Sequence, residues 1–143
     1  MEELLDYVDT YPNDGIFFRK SDMILAAHAD AGFLNKSRAR SRAGTHIFNS
    51  ENEPKPKLNG PVLTIAQIIK TVMASAAEAD MAALFITAEK MIPLRHTIME
   101  FGWPQTQSLI QTDNSTAVGL TKKNIVSKAT KSVEMKLWWL RDR

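Results

Sequence analysis

The sequence predicts a mixed α+β domain in which a three-stranded antiparallel meander is followed by an α/β segment. Three observations lead to this α/β fold class. Short apolar runs separated by turn-rich segments come first, a long run of helix-forming residues follows, and a further apolar run comes after it. Elements in the order βββ-α-β-α-α give a mixed sheet with helices packed on it.

The first 21 residues are predicted to form a connecting arm that leads into a domain of residues 22–143. LLDYVDTY has the pattern of a short helix, which Pro12 and the turn Asn13-Asp14-Gly15 end. The chain of 143 residues is long enough for one domain with a real core.

Three strands are predicted from the apolar runs of the first half. MILAAHADA (23–31) is the first, Ala43–Asn49 the second and the β-branched run VLTIAQIIKTV (62–72) the third. The polar segment NKSRARSR (35–42) is predicted to be a loop. Two prolines and a glycine in SENEPKPKLNG (50–60) prevent regular structure there.

A long helix is predicted to begin after Ser75, because Ser75 and Glu78 form a capping box. It should run to about Phe101, with a kink or break near Pro93. SLIQTDN (108–114) is predicted to be a fourth strand. Two further helices are expected, a short one over 115–122 and a last one over 131–143.

Three acidic residues stand where an apolar run meets a break or a helix start: Asp30, Glu78 and Asp113. This placement predicts three carboxylates that are brought together from different elements. Clustered carboxylates repel one another unless a cation lies between them, and hard oxygen ligands suit Mg²⁺. Each residue also has a simpler reading as a strand end, a capping-box glutamate or a helix cap. Asp80 is expected to face away from Glu78 and to be exposed.

Charge is unevenly distributed along the chain, whose formal net charge is +2. The first 14 residues carry five acidic residues and no basic ones. Two basic blocks flank the acidic motifs, and a polyanion bound over a metal site would require such blocks. The predicted nucleic-acid contacts are Arg38, Arg40, Arg42, Lys122, Lys123 and Lys131. A solvated surface is the alternative for each block.

The motifs resemble, in order, those of the ribonuclease H domain of copia-type LTR retrotransposon polyproteins. The resemblance covers roughly residues 22–143, and four segments carry it: HADA (28–31), SAAEAD (75–80), TDNSTA (112–117) and TKSVEMK (130–136). It implies a ribonuclease H-like fold. The family's final A-D motif is absent, so a final strand and helix are expected to be missing.

The resemblance implies hydrolysis of the RNA strand of an RNA/DNA hybrid during reverse transcription. Asp30, Glu78 and Asp113 would hold two Mg²⁺ ions, with Mn²⁺ as the alternative ion, and Asn114 and Glu134 are secondary candidates. The implied partners are the hybrid and the reverse transcriptase portion of the same polyprotein. Two alternatives remain: a ribonuclease H-like remnant that does not cleave, and a small basic nucleic-acid-binding module.

The composition also bears on the cell compartment. The chain has no cysteine, which excludes a disulfide framework and a thiolate metal site. No apolar run approaches the roughly 20 residues of a membrane span, and the acidic start lacks a secretory signal. We therefore expect no membrane partner and no secretion. The expected location is the cytoplasm, within a virus-like particle, or the nucleus.

Overall fold

The computed structural model describes residues 2–114 together with Met135, Trp139 and Leu140. The predicted short helix over 115–122 lies outside the described residues, as does most of the predicted last helix over 131–143. The three described residues of that last segment are helical.

Four strands form one mixed sheet in the order β3-β2-β1-β4. The strands are β1 (Ile24–Lys36), β2 (Arg40–Ser50), β3 (Pro61–Ile68) and β4 (Leu109–Gln111). β1, β2 and β3 pair antiparallel, which confirms the predicted meander, and β4 pairs parallel to β1. The helices are α1 (Glu2–Thr10) and α2 (Ala76–Glu100).

The hairpin between β1 and β2 is much tighter than the sequence predicted. The expected loop over 35–42 is reduced to residues 37–39, so Arg40 and Arg42 belong to β2. Arg38 and Ala39 have φ angles of 61° and 51°, a left-handed conformation that turns the chain in few residues. Pairing between the two strands outweighs the polar composition of the segment.

β3 is shorter than predicted and ends at Ile68 instead of residue 72. Its ladder with β2 stops where Ile68 lies opposite Arg42. The next apolar residues leave the strand to fill the core, since Ile69 and Met73 are buried against the first turns of α2. The apolar run of residues 62–72 therefore belongs partly to β3 and partly to the segment that follows it, whose side chains pack against α2.

α2 follows the prediction at both ends and passes through Pro93 without a break. Ser75 is the N-cap, and its side chain accepts the Glu78 N–H. Proline removes one backbone donor, and the buried residues Met91 and Ile98 hold the helix to the sheet on either side of it. Gly102, with φ 87°, allows the chain to turn away after the helix.

α2 covers one face of the sheet. Leu25, Ala27 and Ile47 from β1 and β2 are fully buried against Met91 and Ile98 of α2. Alternate strand residues point to opposite faces, so the neighbours of these residues lie on the other face. We call that other face the open face, because no described helix packs across it. Among the described residues, no helix combines the length and hydropathy that a membrane crossing needs.

The N-terminal arm is fastened to the domain by hydrogen bonds of Asn59, by a hydrogen bond from the Arg19 guanidinium to the Leu58 carbonyl, and by Phe18. The carboxamide of Asn59 accepts the Arg19 N–H at 2.7 Å and donates to the Arg19 carbonyl at 2.9 Å. It also donates to the Asn49 carbonyl at the end of β2. The ring of Phe18 lies so close to Gly60 that a Cβ there would be 2.6 Å from it. Residues 3–20 of the arm, which include most of α1, are exposed.

We predict that Asn59→Ala releases the arm. Loss of these hydrogen bonds should lower the free energy of unfolding by about 1–3 kcal/mol. It should also speed hydrogen exchange at the Arg19 amide, measured by exchange mass spectrometry. Asn13→Ala, an exposed change within the arm, is the matched control and should stay within about 0.5 kcal/mol of the parent. Unchanged exchange at Arg19 in Asn59→Ala would contradict this attachment.

Candidate functional site

A groove of about 610 Å³ crosses the open face at the end of β4. Asp30 of β1 and Asp113, two residues beyond β4, both line it. Asp30 lies opposite Gly44 of β2, and within residues 2–114 a Cβ built at Gly44 would meet only the Asp30 carbonyl oxygen, at 3.8 Å. The missing side chain therefore leaves the floor of the groove open beside the Asp30 carboxylate.

Asp80 of α2 joins these two acids, and the expectation that it is exposed was wrong. It is 5% exposed. Its Oδ1 accepts the Ala31 N–H of β1 at 3.0 Å, and its Oδ2 accepts the side-chain N–H of Asn114 at 2.6 Å. The β1–β4 ladder ends at His28. The Ala31 N–H lies beyond the end of this ladder and donates to Asp80 instead of to β4. We call Asp30, Asp80 and Asp113 the acidic cluster.

Burial is the main reason why the pKa of Asp80 is raised above its ordinary value of 3.8. The hydrogen bond from Asn114 acts in the opposite direction. The charges of Asp30 and Asp113 raise the pKa further. Asp80 is therefore close enough to Asp30 and Asp113 to interact with both electrostatically.

Glu78 has a different role in the structure. It lies in the first turn of α2, where its N–H donates to Ser75 Oγ and its carboxylate accepts the Ala74 N–H. This arrangement is a capping box in which the Glu78 carboxylate bonds the N–H of Ala74, the residue before the N-cap, and not the N–H of Ser75 itself. Glu78 does not line the groove that Asp30 and Asp113 share.

The start of β4 is held in place by side chains from α2 and the loop before it. Gln105 donates to the Met23 carbonyl at 2.7 Å and accepts the Leu25 N–H at 3.0 Å, which ties the loop to the start of β1. Arg95 of α2 donates to the Gln105 and Thr106 carbonyls and to Ser108 Oγ. These bonds fix the point at which β4 enters the sheet, since they reach Ser108, the residue directly before the strand begins.

Of the predicted basic contacts, Arg40 and Arg42 are both on the open face. They share a side of β2 with Gly44, which lies opposite Asp30. The Nε atom of Arg42 is buried and has no hydrogen-bond partner among the described residues. Arg38 lies in the hairpin turn and is exposed. The other predicted residues lie outside the described part of the chain: Lys122, Lys123, Lys131 and Glu134.

Sequence reasoning did not find a row of polar side chains that crosses the groove. His28 lies opposite His46 of β2 and beside Gln111 of β4, and His46 lies opposite Thr64 of β3. All four line the groove. We call Thr64, His46, His28 and Gln111 the polar row. The only signal in the sequence was that His28 stands two residues before Asp30, on the same face of a predicted strand.

The acidic cluster offers oxygen donors of the kind that a hard divalent cation prefers. Among residues 2–114, however, no three His, Cys, Asp or Glu side chains lie near enough to one another to hold an ion together. Mg²⁺ commonly keeps several waters and binds one or two carboxylates plus substrate oxygens. The cluster thus offers the donor type that such an ion prefers, without a three-ligand group among residues 2–114.

We predict that the melting temperature of Asp80→Asn, relative to the parent, falls as the pH is lowered from 7 toward 3.8. Because the pKa of Asp80 is raised in the folded protein, its ionisation destabilises the parent above that pKa and has no effect well below pH 3.8. The variant lacks this dependence, and at every pH it loses one of the two hydrogen bonds that the carboxylate oxygens accept. The relative change should be roughly 2–5 °C, which corresponds to about 1 kcal/mol in a domain of this size. A difference that stays constant between these pH values would contradict the raised pKa.

No protein family model matches the chain. The chain is similar to a retrovirus-related Pol polyprotein from transposon TNT 1-94 of Nicotiana tabacum, with 24% identity over 139 residues. The alignment covers 97% of this chain and 10% of the polyprotein, so the chain spans about a tenth of that relative's length. This similarity supports a relationship to retrotransposon Pol polyproteins along nearly the whole chain.

Proposed function

We propose that this chain is a ribonuclease H-like domain derived from a retrotransposon Pol polyprotein, and that it hydrolyses the RNA strand of RNA/DNA hybrids. The observation that carries the proposal is the position of Asp80. It is a buried carboxylate from α2 that is bonded to β1 and to Asn114 after β4, beside two further aspartates. The sheet order β3-β2-β1-β4 is compatible with a ribonuclease H-like fold.

In this proposal Asp30, Asp80 and Asp113 are the metal-binding residues. The predicted set of Asp30, Glu78 and Asp113 thus changes at one position, because the carboxylate of Glu78 accepts a cap hydrogen bond, whereas that of Asp80 interacts electrostatically with both other acids. A pair of Mg²⁺ ions would supply the chemistry of in-line phosphoryl displacement, by activating a water and stabilising the leaving oxygen. Cation binding would offset the repulsion from Asp30 and Asp113, which adds to the effect of burial on the pKa of Asp80.

The protein's own residues would position the hybrid. Asn114 holds one Asp80 oxygen, and the Ala31 amide holds the other, so the carboxylate is fixed in orientation. Arg40 and Arg42 lie on the same face as Asp30, so their guanidinium groups can bind phosphates of a strand that passes the acidic residues.

The test of catalysis compares two acids that are two residues apart in α2. Asp80→Asn should reduce Mg²⁺-dependent cleavage of the RNA strand of a hybrid by at least about 100-fold, since an essential ligand is lost. Glu78→Gln should keep the activity within severalfold of the parent, because it loses only part of a helix cap. Cleavage is measured on a labelled hybrid, with the same RNA in single-stranded form as the substrate control.

The opposite pattern, with Glu78→Gln inactive and Asp80→Asn active, would show that Glu78 and not Asp80 is the third metal-binding residue, as the sequence predicted. A second candidate function is binding of nucleic acid without cleavage. It is favoured by the lack of three metal-competent side chains in mutual reach within residues 2–114. Salt-dependent hybrid binding by a parent protein that leaves the RNA intact with Mg²⁺ or Mn²⁺ would select it.

We predict that Arg40→Ala combined with Arg42→Ala flattens the dependence of hybrid affinity on salt. Each lost phosphate contact should reduce the slope of log affinity against log salt by about 0.9. The matched control is Lys55→Ala with Lys57→Ala, which removes the same charge from the loop at the other end of β2. Equal slopes in the parent and the Arg40/Arg42 variant would show that these arginines do not contact phosphate.

The partners and compartment follow from the same proposal. An RNA/DNA hybrid is the substrate, and the reverse transcriptase portion of a polyprotein would supply it. The domain would then act where reverse transcription takes place, in a cytoplasmic virus-like particle or in the nucleus. Copurification of the chain with reverse transcriptase activity from particles would test this placement.

A further inference from the structure

We propose that His28 and His46 form a second metal site in the groove, one that takes a borderline divalent ion of the Zn²⁺ class. The two residues are direct cross-strand partners in the β1–β2 ladder. Cβ atoms of such partners are about 4.5–5.5 Å apart, which allows two side chains to reach one atom between them. The site is independent of the proposed nuclease function.

The surroundings of the two rings support this pairing. Both rings pack against Phe48, each with a centroid distance of 5.4 Å. Phe48 is fully buried, so it is a fixed wall for both imidazoles. Both histidines also line the same groove. The rings are therefore held next to each other on the side of the sheet that solvent can reach.

The tautomer of His46 is the one that a metal ligand needs. Its Nε2 lies 3.0 Å from the Asn59 carbonyl oxygen. A carbonyl can only accept, so Nε2 carries the proton and Nδ1 has the lone pair. Metal-binding histidines almost always donate their other ring N–H to a carbonyl or carboxylate, which fixes the ring and raises its basicity. The Asn59 carbonyl is thus the hydrogen-bond acceptor that would fix His46 as a metal ligand.

The choice of ion follows from the donor atoms. Imidazole nitrogens favour Zn²⁺, Cu²⁺ and Ni²⁺, whereas the oxygen atoms of the acidic cluster favour Mg²⁺ and Mn²⁺. Among residues 2–114 no third His, Cys, Asp or Glu is placed to complete a three-ligand group. Two protein nitrogens would therefore bind the ion, and water would complete its coordination.

The test is calorimetric titration of the folded protein with Zn²⁺ alone. We expect one ion per chain in the parent protein. Changes around a metal ligand already weaken binding by about 10–100-fold, so His28→Ala or His46→Ala, which removes a ligand, should weaken it by at least about tenfold. His96→Ala is the matched control, because His96 is an exposed histidine of α2, and it should bind as the parent does.

A titration in which the parent binds no Zn²⁺, or in which the His28/His46 double variant binds as tightly as the parent, overturns the proposal. If a variant fails to fold, NMR of the histidine ring protons in the parent decides. Zn²⁺ must shift those of His28 and His46 and leave those of His96 in place. Asp80→Asn should retain Zn²⁺ binding, so failure of the nuclease proposal leaves this result unaffected.

Discussion

The hydrogen bonds of the Asp80 carboxylate are the constraint on which the candidate site depends. A buried carboxylate must have partners for its oxygens, or its desolvation would outweigh the packing around it. Here those partners are the Ala31 amide and the Asn114 side chain. They come from β1 and from the segment after β4, while Asp80 itself belongs to α2. One side chain thus fixes three elements relative to one another.

The same arrangement explains why the site lies at the end of β4. That strand pairs with only three residues of β1, and it stops before Ala31. A longer strand would have bonded the Ala31 amide in the ladder and left Asp80 without that donor. The short ladder also lets Asp113 emerge beside Asp30, since parallel strands deliver their carboxyl ends to the same edge.

The open face combines two kinds of donor in adjacent positions. Oxygen atoms of Asp30 and Asp113 lie at one side of the groove, and the nitrogen atoms of His28 and His46 lie two strand positions away. A hard cation such as Mg²⁺ would therefore bind the carboxylates, and a borderline cation such as Zn²⁺ would bind the imidazoles of the same groove. The histidine pair is a property of this sheet and its register.

Local sequence was a good guide wherever the outcome depended on neighbouring residues. The meander, the cap at Ser75, the stop at Gly102 and the existence of a fourth strand all follow from turn chemistry and apolar runs that act over a few residues. Strand ends were less well predicted. Pairing partners decide them, as in the hairpin that draws Arg40 and Arg42 into β2.

The candidate site divides in the same way. The sequence placed Asp30 and Asp113 at strand ends, and such ends meet at one edge of a sheet, where both now line one groove. The burial of Asp80 could not be predicted there. Glu78 and Asp80 are both acids in the first turns of one helix, and the local pattern showed only that Glu78 could belong to a capping box. Only the docking of α2 on the sheet brought Asp80 against β1, and only strand register brought His28 and His46 together. These contacts join residues far apart in the chain, so no local pattern contains them.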